Sequence, residues 1–550
     1  MPRYRLWGLR TPAPALPTVD LVAGVLGVRA ETLSDFSLAR RSLDARKKPN
    51  LFYESAVEFE TEQPFEGVNE LTPPLRLEVV PRPKGHELLL PPAGRDARVA
   101  VVGTGPAGLF AALSLVDAGL RPILLERGDP AEERYRKVMK FWKSGVFDPE
   151  SNVQFGEGGA GTFSDGKLTC GKRHDKIAVI LEVLHRFGAP DTILWDAKPH
   201  IGTDRLVVVL RNMRKHLLEK GAEIRYRAKV VDVLREGSET GKLRSLVLES
   251  GEEIPVEFAI FALGHSARDT VGALLSRGVA MTEKPFAMGV RIEHPQDAID
   301  RIQLGGLSES CGVNPADYKQ AFMASNMRGV YTFCMCPGGE VIACSSEAGG
   351  VVTNGMSRYK RSSGFANAGL VVQTKPEDFG EESSLLRGQV YQRKVEEAAF
   401  VLGGETYAAP AIRVTDFLSN RDPRPLPRKT TYGPEAVPRR FDGLFTEPYL
   451  VALREALAAF DRKMRGFVSE EAVLIAPETR TSSPVRIERD AYCESTSLPG
   501  LYPAGEGAGF AGGIVSAALD GLRVAKYLRA RIAGETLEGE RVPTFKGPEY

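Results

Sequence analysis

Net charge is almost absent from this 550-residue chain: 72 lysines and arginines face 71 aspartates and glutamates, leaving +1. No whole-chain field exists to gather nucleic acid or an anionic membrane, so a partner of that kind would need a local patch. Cysteine is scarce too. Six residues, Cys170, Cys311, Cys334, Cys336, Cys344 and Cys493, are too few for a disulfide framework at this length. The seven histidines form no HxH or HExxH cluster, and no metal site is expected. The opening MPRYRLWGLR lacks an apolar stretch of signal-peptide length. The uncharged run Val99–Val116 is broken by Gly103, Gly105, Pro106 and Gly108, which makes it strand, turn and helix rather than a membrane span. The expected location is cytoplasmic.

Glycine is what the chain has in excess. It carries 56, where usage of about 7% gives roughly 39. Windows 103–108, 156–171 and 505–521 hold 15 of them in 39 residues. With 43% hydrophobic and 26% charged residues, the chain is not a disordered one. Its length predicts several domains at about 100–200 residues each.

Residues 1 to about 70 read as a small α/β module. YRLWGL is a strand, Val19–Leu26 a helix stopped by Gly27, and LFYESAVEFE a second strand. RRSLDARKK (40–48), with five positive charges, reads as a solvated hairpin or loop, with an anion or partner contact as the alternative. Six prolines between Thr72 and Pro92 suit an extended connector, and the basic, proline-rich 422–440 an ordered surface loop. No repeat of 20–50 residues is found.

VAVVGTGPAGLFAALSLVDAGLRPILLERG (99–128) places Gly103-x-Gly105-x-x-Gly108 directly after a strand and at the opening of a helix, with Glu126 after a second strand. Gly103 permits the tight turn, Gly105 admits a pyrophosphate to the backbone, and Gly108 lets helix and strand pack closely. The helix N-terminus offers free N–H groups to phosphates, and Glu126 is placed for a ribose hydroxyl. NVQFGEGGAGTFSDGKL (152–168) can wrap backbone around a flat ligand or its phosphates. LPGLYPAGEGAGFAGGIVSAALDGLRVAKYL (498–528) reads as strand, turn at Gly505 and Glu506, then a helix opening near Gly512–Gly513. That arrangement can set a carboxylate on a ribityl hydroxyl and a helix N-terminus at a ring carbonyl.

These motifs, with FALGHS (261–266), resemble FAD-binding flavoproteins of the glutathione-reductase-like superfamily. More narrowly, FGEGGAGTFSDGKL, ALGHSARDT, YTFCMCPGGEV and APETRTSSPVRI resemble the bacterial FAD-dependent dehydrogenases of largely uncharacterised function, over most of residues 97–530. The resemblance implies FAD, an oxidoreductase, and no particular substrate. It implies Gly103, Gly105, Pro106, Ala107, Gly108, Glu126 and Arg127 at the adenosine and pyrophosphate, and Val230 at the adenine. The remaining expected cofactor residues are Gly158, Gly159, Gly161, Thr162, Lys167, Gly264, Gly505, Glu506, Gly512, Gly513 and Ile514. Glu506 stands where many relatives have Asp. A second complete GxGxxG is missing, so NAD(P)H or another redox partner would visit without a Rossmann domain of its own.

The fold expected is α/β: a discontinuous Rossmann-like FAD domain (95–285 and 460–535), an inserted α+β substrate or cap domain (286–459), the N-terminal module with its connector (1–90) and a tail (536–550). His265 is a candidate proton relay and Arg268 an anion holder, the alternative being an Arg268–Asp269 pair capping the next helix. Arg480 and Arg486 are candidates for an acidic substrate or the cofactor, or else for ordinary pairing. Cys334 and Cys336 read as buried or pocket-lining thiols, with redox relay or metal binding as alternatives. Hydride transfer between a small-molecule substrate and flavin N5 is the expected reaction. The alternatives are an NAD(P)H-dependent reductase of a double bond, a flavin monooxygenase or oxidase, and a non-catalytic FAD-binding regulatory protein.

Overall fold

Strand Val99–Val102 is buried at every position, as a parallel strand covered on both faces must be. It sits at the centre of a five-stranded parallel sheet whose order is Leu501–Pro503, Phe258–Phe261, Val99–Val102, Ile123–Leu125 and Glu223–Arg225. The first strand in that order comes from near the end of the chain, so the domain closes on itself only once some 240 intervening residues have been built. Helices Pro106–Asp117 and Ile514–Ala533 cover one face together. They approach closely because Gly521 has no Cβ, which would otherwise strike the Ala107 carbonyl. An antiparallel sheet of Val230–Arg235, Leu243–Leu248 and Glu253–Pro255 covers the opposite face, where Val230, Val233 and Leu246 share a core with Ala100, Val102 and Leu125. The computed structural model describes residues 1–65, 71–81, 90–171, 174–237, 241–380 and 384–538.

The intervening residues build a seven-stranded sheet in the order Ala321–Met323, Gly329–Cys336, Phe365–Thr374, Phe286–Pro295, Val473–Glu478, Ala409–Arg413 and Ala436–Pro438. Helices Arg387–Leu402 and Glu447–Lys463 pack against it. The expected boundary at 460 is corrected here: it cuts helix Glu447–Lys463, and Val473–Glu478 pairs with Phe286–Pro295 inside this sheet. At the sheet's centre, fully buried Arg291 donates through Nη1 to both oxygens of Glu478 at 2.9 and 3.0 Å.

The N-terminal module is a four-stranded antiparallel sheet, Ser34–Asp44, Phe52–Glu60, Arg3–Pro12 and Arg76–Val80, with helix Val19–Leu26 ended by Gly27 at φ 68°. Two expectations change. Arg76–Val80, inside the proposed connector, is a strand paired with Arg3–Trp7, because the apolar alternation of RLEVV outweighs the prolines around it. Arg40–Asp44 belongs to a strand, and Arg41 docks the module by pairing with Asp196 at 2.7 Å and stacking on Trp195 and Tyr53. Connector residues 82–89 and most of the expected tail, 539–550, lie outside the described residues. Among the described residues no helix is long and apolar enough to cross a membrane.

Arg291→Met strands the Glu478 carboxylate in the sheet without a cation, which costs about 3–5 kcal/mol. Thermal denaturation should show that loss, and Arg291→Met with Glu478→Gln should recover part of it.

Candidate functional site

Two kinds of glycine shape the site. At Gly103 (φ 96°) a Cβ would strike the Ala262 carbonyl, and at Gly108 it would strike the Gly103 carbonyl. Both are therefore required by the protein's own backbone. Gly105 differs: its φ is −71°, ordinary for any residue, and the nearest atom to a Cβ there is Gly159 Cα at 3.8 Å. Gly513 at the N-terminus of helix Ile514–Ala533 is extended, with nothing within 4 Å of a Cβ. These two glycines border empty space, which is what a ligand lying on the backbone requires.

The loop 152–163 is laid over that space by a residue the sequence reading missed. Arg134, 0% exposed, donates to the carbonyls of Asn152, Val153 and Glu157, each at 2.7 Å, and to that of Gly156 at 3.3 Å. Gly158 N–H donates to Thr104 O at 2.9 Å, tying the loop to the turn that follows the first strand. Glu126 completes the tie. Its Oε2 accepts from Thr104 N–H and hydroxyl at 3.0 and 2.7 Å, and its Oε1 from Gly128 and Gly156 N–H at 2.9 and 3.0 Å. The carboxylate lies at the cavity wall with four protein donors already on it, so its first duty is to hold the two glycine loops together.

A cavity of about 630 Å³ runs between these loops and the seven-stranded sheet. Among the expected residues it is lined by Gly103, Gly105, Pro106, Ala107, Glu126, Arg127, Gly159, Gly161, Lys167, Val230, Gly264, His265, Arg480, Gly505, Glu506, Gly512, Gly513 and Ile514. Gly108, Gly158 and Thr162 stand behind the wall. Thr162 hydroxyl donates to Glu157 O, and a Cβ on Gly158 would strike Thr162 Oγ1 and Leu210. Thr104, Asp165, Tyr318, Cys334, Asn354 and Arg361 also line it. Tyr318, Asn354 and Arg361 lie in none of the quoted motifs; only the tertiary fold brings them here.

Glu506 is the one expected contact whose geometry asks for a ligand. Its Oε1 accepts from Ser483 N–H at 3.1 Å, while buried Oε2 has no partner. Burial pushes its carboxyl up to about 7, against the pull of Lys284. Gly505 is fixed beside it because its N–H donates to Asp520 at 2.8 Å, and Asp520 is gripped by Arg489 at 2.6 Å. A half-ionised carboxyl with a free oxygen, next to the open helix N-terminus at Gly513, fits a hydroxylated chain ending in an electron-rich ring.

The candidate catalytic residues separate. His265 lines the cavity with Nδ1 in hydrogen-bond contact with Ser266 hydroxyl at 3.1 Å. Burial, then the Arg480 and Arg268 guanidiniums, bring its pKa down to about 3, so the imidazole is neutral. Arg268 lies outside the cavity, and the structure corrects both readings of it. Asp269 pairs with Arg127 and Lys229 instead. Arg268 itself donates to Glu347 at 2.6 Å and to Glu396 at 3.0 Å. Arg480 borders the cavity, and its donors go to Glu396, Ser346 and Glu347, the ordinary pairing that the sequence left open beside ligand binding. Lys167 reaches the Met335 carbonyl.

Three substitutions separate ligand space from protein space. Gly108→Ala should lower the melting temperature outright, through backbone collision. Gly105→Ala should leave the apoprotein's melting temperature unchanged and reduce FAD retention on gel filtration. Glu506→Ala should weaken FAD binding by about 1–3 kcal/mol, read by equilibrium titration, with Glu506→Gln retaining most of it.

The family described as "FAD-dependent protein, C-terminal domain-like" matches residues 285–481, close to the limits of the inserted sheet. An uncharacterized protein of Clostridium beijerinckii is 42% identical over 526 residues, covering 92% of this chain and 94% of its own. Among solved structures, CtdE in complex with FAD is 10% identical with a TM-score of 0.30, covering 80% of this chain and 87% of its own. The glycerol-3-phosphate dehydrogenase of Bacillus halodurans complexed with FAD is 11% identical with a TM-score of 0.34, covering 82% and 67%. Those two likenesses are too remote to carry an argument; the fold rests on the sheet geometry above. With a near full-length relative at this identity, the chain belongs to the family of FAD-dependent proteins that carry this C-terminal domain, and FAD is its cofactor.

Proposed function

We propose that the protein is a dehydrogenase that moves a hydride between a small-molecule substrate and FAD. The observation that carries this reading is the continuity of the cavity: the space beside Gly105, Glu506 and Gly513 runs on to a wall built by Tyr318, Thr332, Phe333 and Asn354 of the inserted domain. When bound, FAD supplies two-electron chemistry at its ring N5. The chain supplies the rest. The helix N-terminus at Pro106 and the N–H groups of the first turn hold pyrophosphate, Val230 borders the adenine end, and Glu506 holds the ribityl chain. Arg127 closes the adenosine end, stacked 3.8 Å over Phe155 and paired with Glu150 and Asp269.

At the substrate end Tyr318 is placed to donate a hydrogen bond to the group that gains negative charge. Its buried hydroxyl has no protein partner, and burial keeps it protonated. His265, neutral, offers a hydrogen bond and takes up a proton only while the reaction develops charge. Six unpaired thiols suit the reducing cytoplasm.

Purified protein should be yellow and release FAD on denaturation. Tyr318→Phe should lower kcat by about 10²-fold or more with FAD retained. Stopped-flow mixing of the reduced protein with aerated buffer should give reoxidation slower than turnover with an artificial electron acceptor. Rapid oxygen use would move the assignment to an oxidase or monooxygenase.

A further inference from the structure

Strand Gly329–Cys336 loses its regular pairing near its end. Opposite the neighbouring strand, Phe333 faces Gly369 and Cys336 faces Asn367, so three steps on one side meet two on the other. The extra residue is absorbed at Cys334, whose φ of 41° is a left-handed conformation that few residues other than glycine adopt. Arg291 holds the bulge from beneath: Nη2 donates to Cys334 O at 2.5 Å and approaches Cys336 Sγ at 3.8 Å. Cys334 is thereby turned onto the cavity wall, while Cys336 is buried just behind it. On a regular strand residues two apart stand about 6.5 Å from one another along the chain. Here Cys336 Sγ–H donates to the Cys334 carbonyl at 3.3 Å, which folds the second thiol back against the bulge.

The charged groups facing Cys334 are Lys167 and Arg291, both cations, and the anions Asp165 and Glu478. The neighbouring Cys336 side chain, helped by both cations and opposed by burial, brings the Cys334 thiol down to about 6, and that of Cys336 moves up. None of the chemistry assigned above uses either sulfur, and backbone strain at a cavity wall marks a functional position.

We propose that Cys334 and Cys336 form a dithiol–disulfide couple open to the cavity, a second two-electron site beside the cofactor. On oxidation the S–S bond forms between the Cys334 thiolate and the Cys336 sulfur as the S–H bond of Cys336 breaks. Two electrons and that one proton leave the pair, and oxidised flavin in the same cavity accepts them. Exchange with flavin rests on the FAD reading above; formation of the disulfide does not.

Holoprotein is equilibrated anaerobically in mixtures of reduced and oxidised dithiothreitol, quenched with acid, alkylated under denaturing conditions, digested and analysed by mass spectrometry. The expected result is that the peptide carrying Cys334 and Cys336 loses both alkyl groups together, while Cys170, Cys311, Cys344 and Cys493 stay alkylated. Both groups retained in oxidising buffer, or Cys334 bonded to any other thiol, overturns the proposal. In wild-type protein, iodoacetamide should modify Cys334 with a rate rising through about pH 6, and in Cys336→Ser that midpoint should move up toward about 8.5. A midpoint near the ordinary thiol value in wild type counts against the couple. Reductive titration of oxidised holoprotein should consume about twofold more reductant in wild type than in Cys336→Ser, as two two-electron couples require. Equal consumption overturns exchange with flavin. Protein that purifies without flavin yet forms the disulfide would refute the FAD reading and leave the couple standing.

Discussion

Glu396 holds the two halves of this molecule together. Its carboxylate is 0% exposed and lies between two guanidiniums, Arg268 at the start of a helix in the nucleotide domain and Arg480 just after a strand of the inserted sheet. Burial alone would keep Glu396 protonated; the two cations hold it well below the ordinary carboxylate range. Glu347 bridges the same guanidiniums from a loop, so two positive and two negative charges close on themselves. Removing Glu396 or Arg480, the two fully enclosed members, leaves a charge uncompensated in low dielectric, and such losses are among the largest a single change can cause. Of the four, Arg480 borders the cavity. His265 stays neutral chiefly because it is buried, with the two guanidiniums of the clamp beside it as the next cause.

A similar division of labour runs through the glycines. Gly103 and Gly108 are needed for backbone to pass backbone, and they set the turn whether or not a ligand is present. Gly105 and Gly513 are needed only if something else occupies the space. Arg134 connects the two groups. It has no carboxylate partner at hydrogen-bond distance, only carbonyl oxygens and the Thr162 hydroxyl, and burial brings its pKa down to about 10. A guanidinium used in this way is a template: its planar fork fixes the path of a loop that has too many glycines to fix its own.

The nucleotide half was legible because its signals are local. The strand Val99–Val102, the glycine turn and the helix after it state their geometry within a dozen residues, and the helix opening at Gly513 does the same. Arg268 and Arg480 were visible as residue types but not as partners, since Glu396 lies 128 and 84 positions away. Arg134, Arg291 and Tyr318 were invisible for a related reason: each sits in an ordinary amphipathic or strand pattern, and only packing shows that a buried polar atom is involved. The connector at 72–92 was misread because proline count dominated a five-residue strand whose partner is Arg3–Trp7. The boundary at 460 was misplaced because an antiparallel sheet can take its central strand from any distance along the chain.

The inserted sheet does more than roof the cavity. Arg291 neutralises Glu478 through one nitrogen and holds the Cys334 carbonyl through the other. One buried cation thus sets both the charge balance of the sheet's centre and the conformation of the residue on the cavity wall. Sheet and thiols cannot change independently: a shift in the Phe286–Pro295 strand would move the guanidinium, release the bulge and return Cys334 to the alternation of its strand. The strain at Cys334 is therefore sustained by a core interaction strong enough to over-determine it, the condition under which unfavourable backbone geometry persists. A fold that needed only to cover a flavin would have no use for such a coupling. Its presence ties the chemistry available at that wall to the integrity of the sheet behind it.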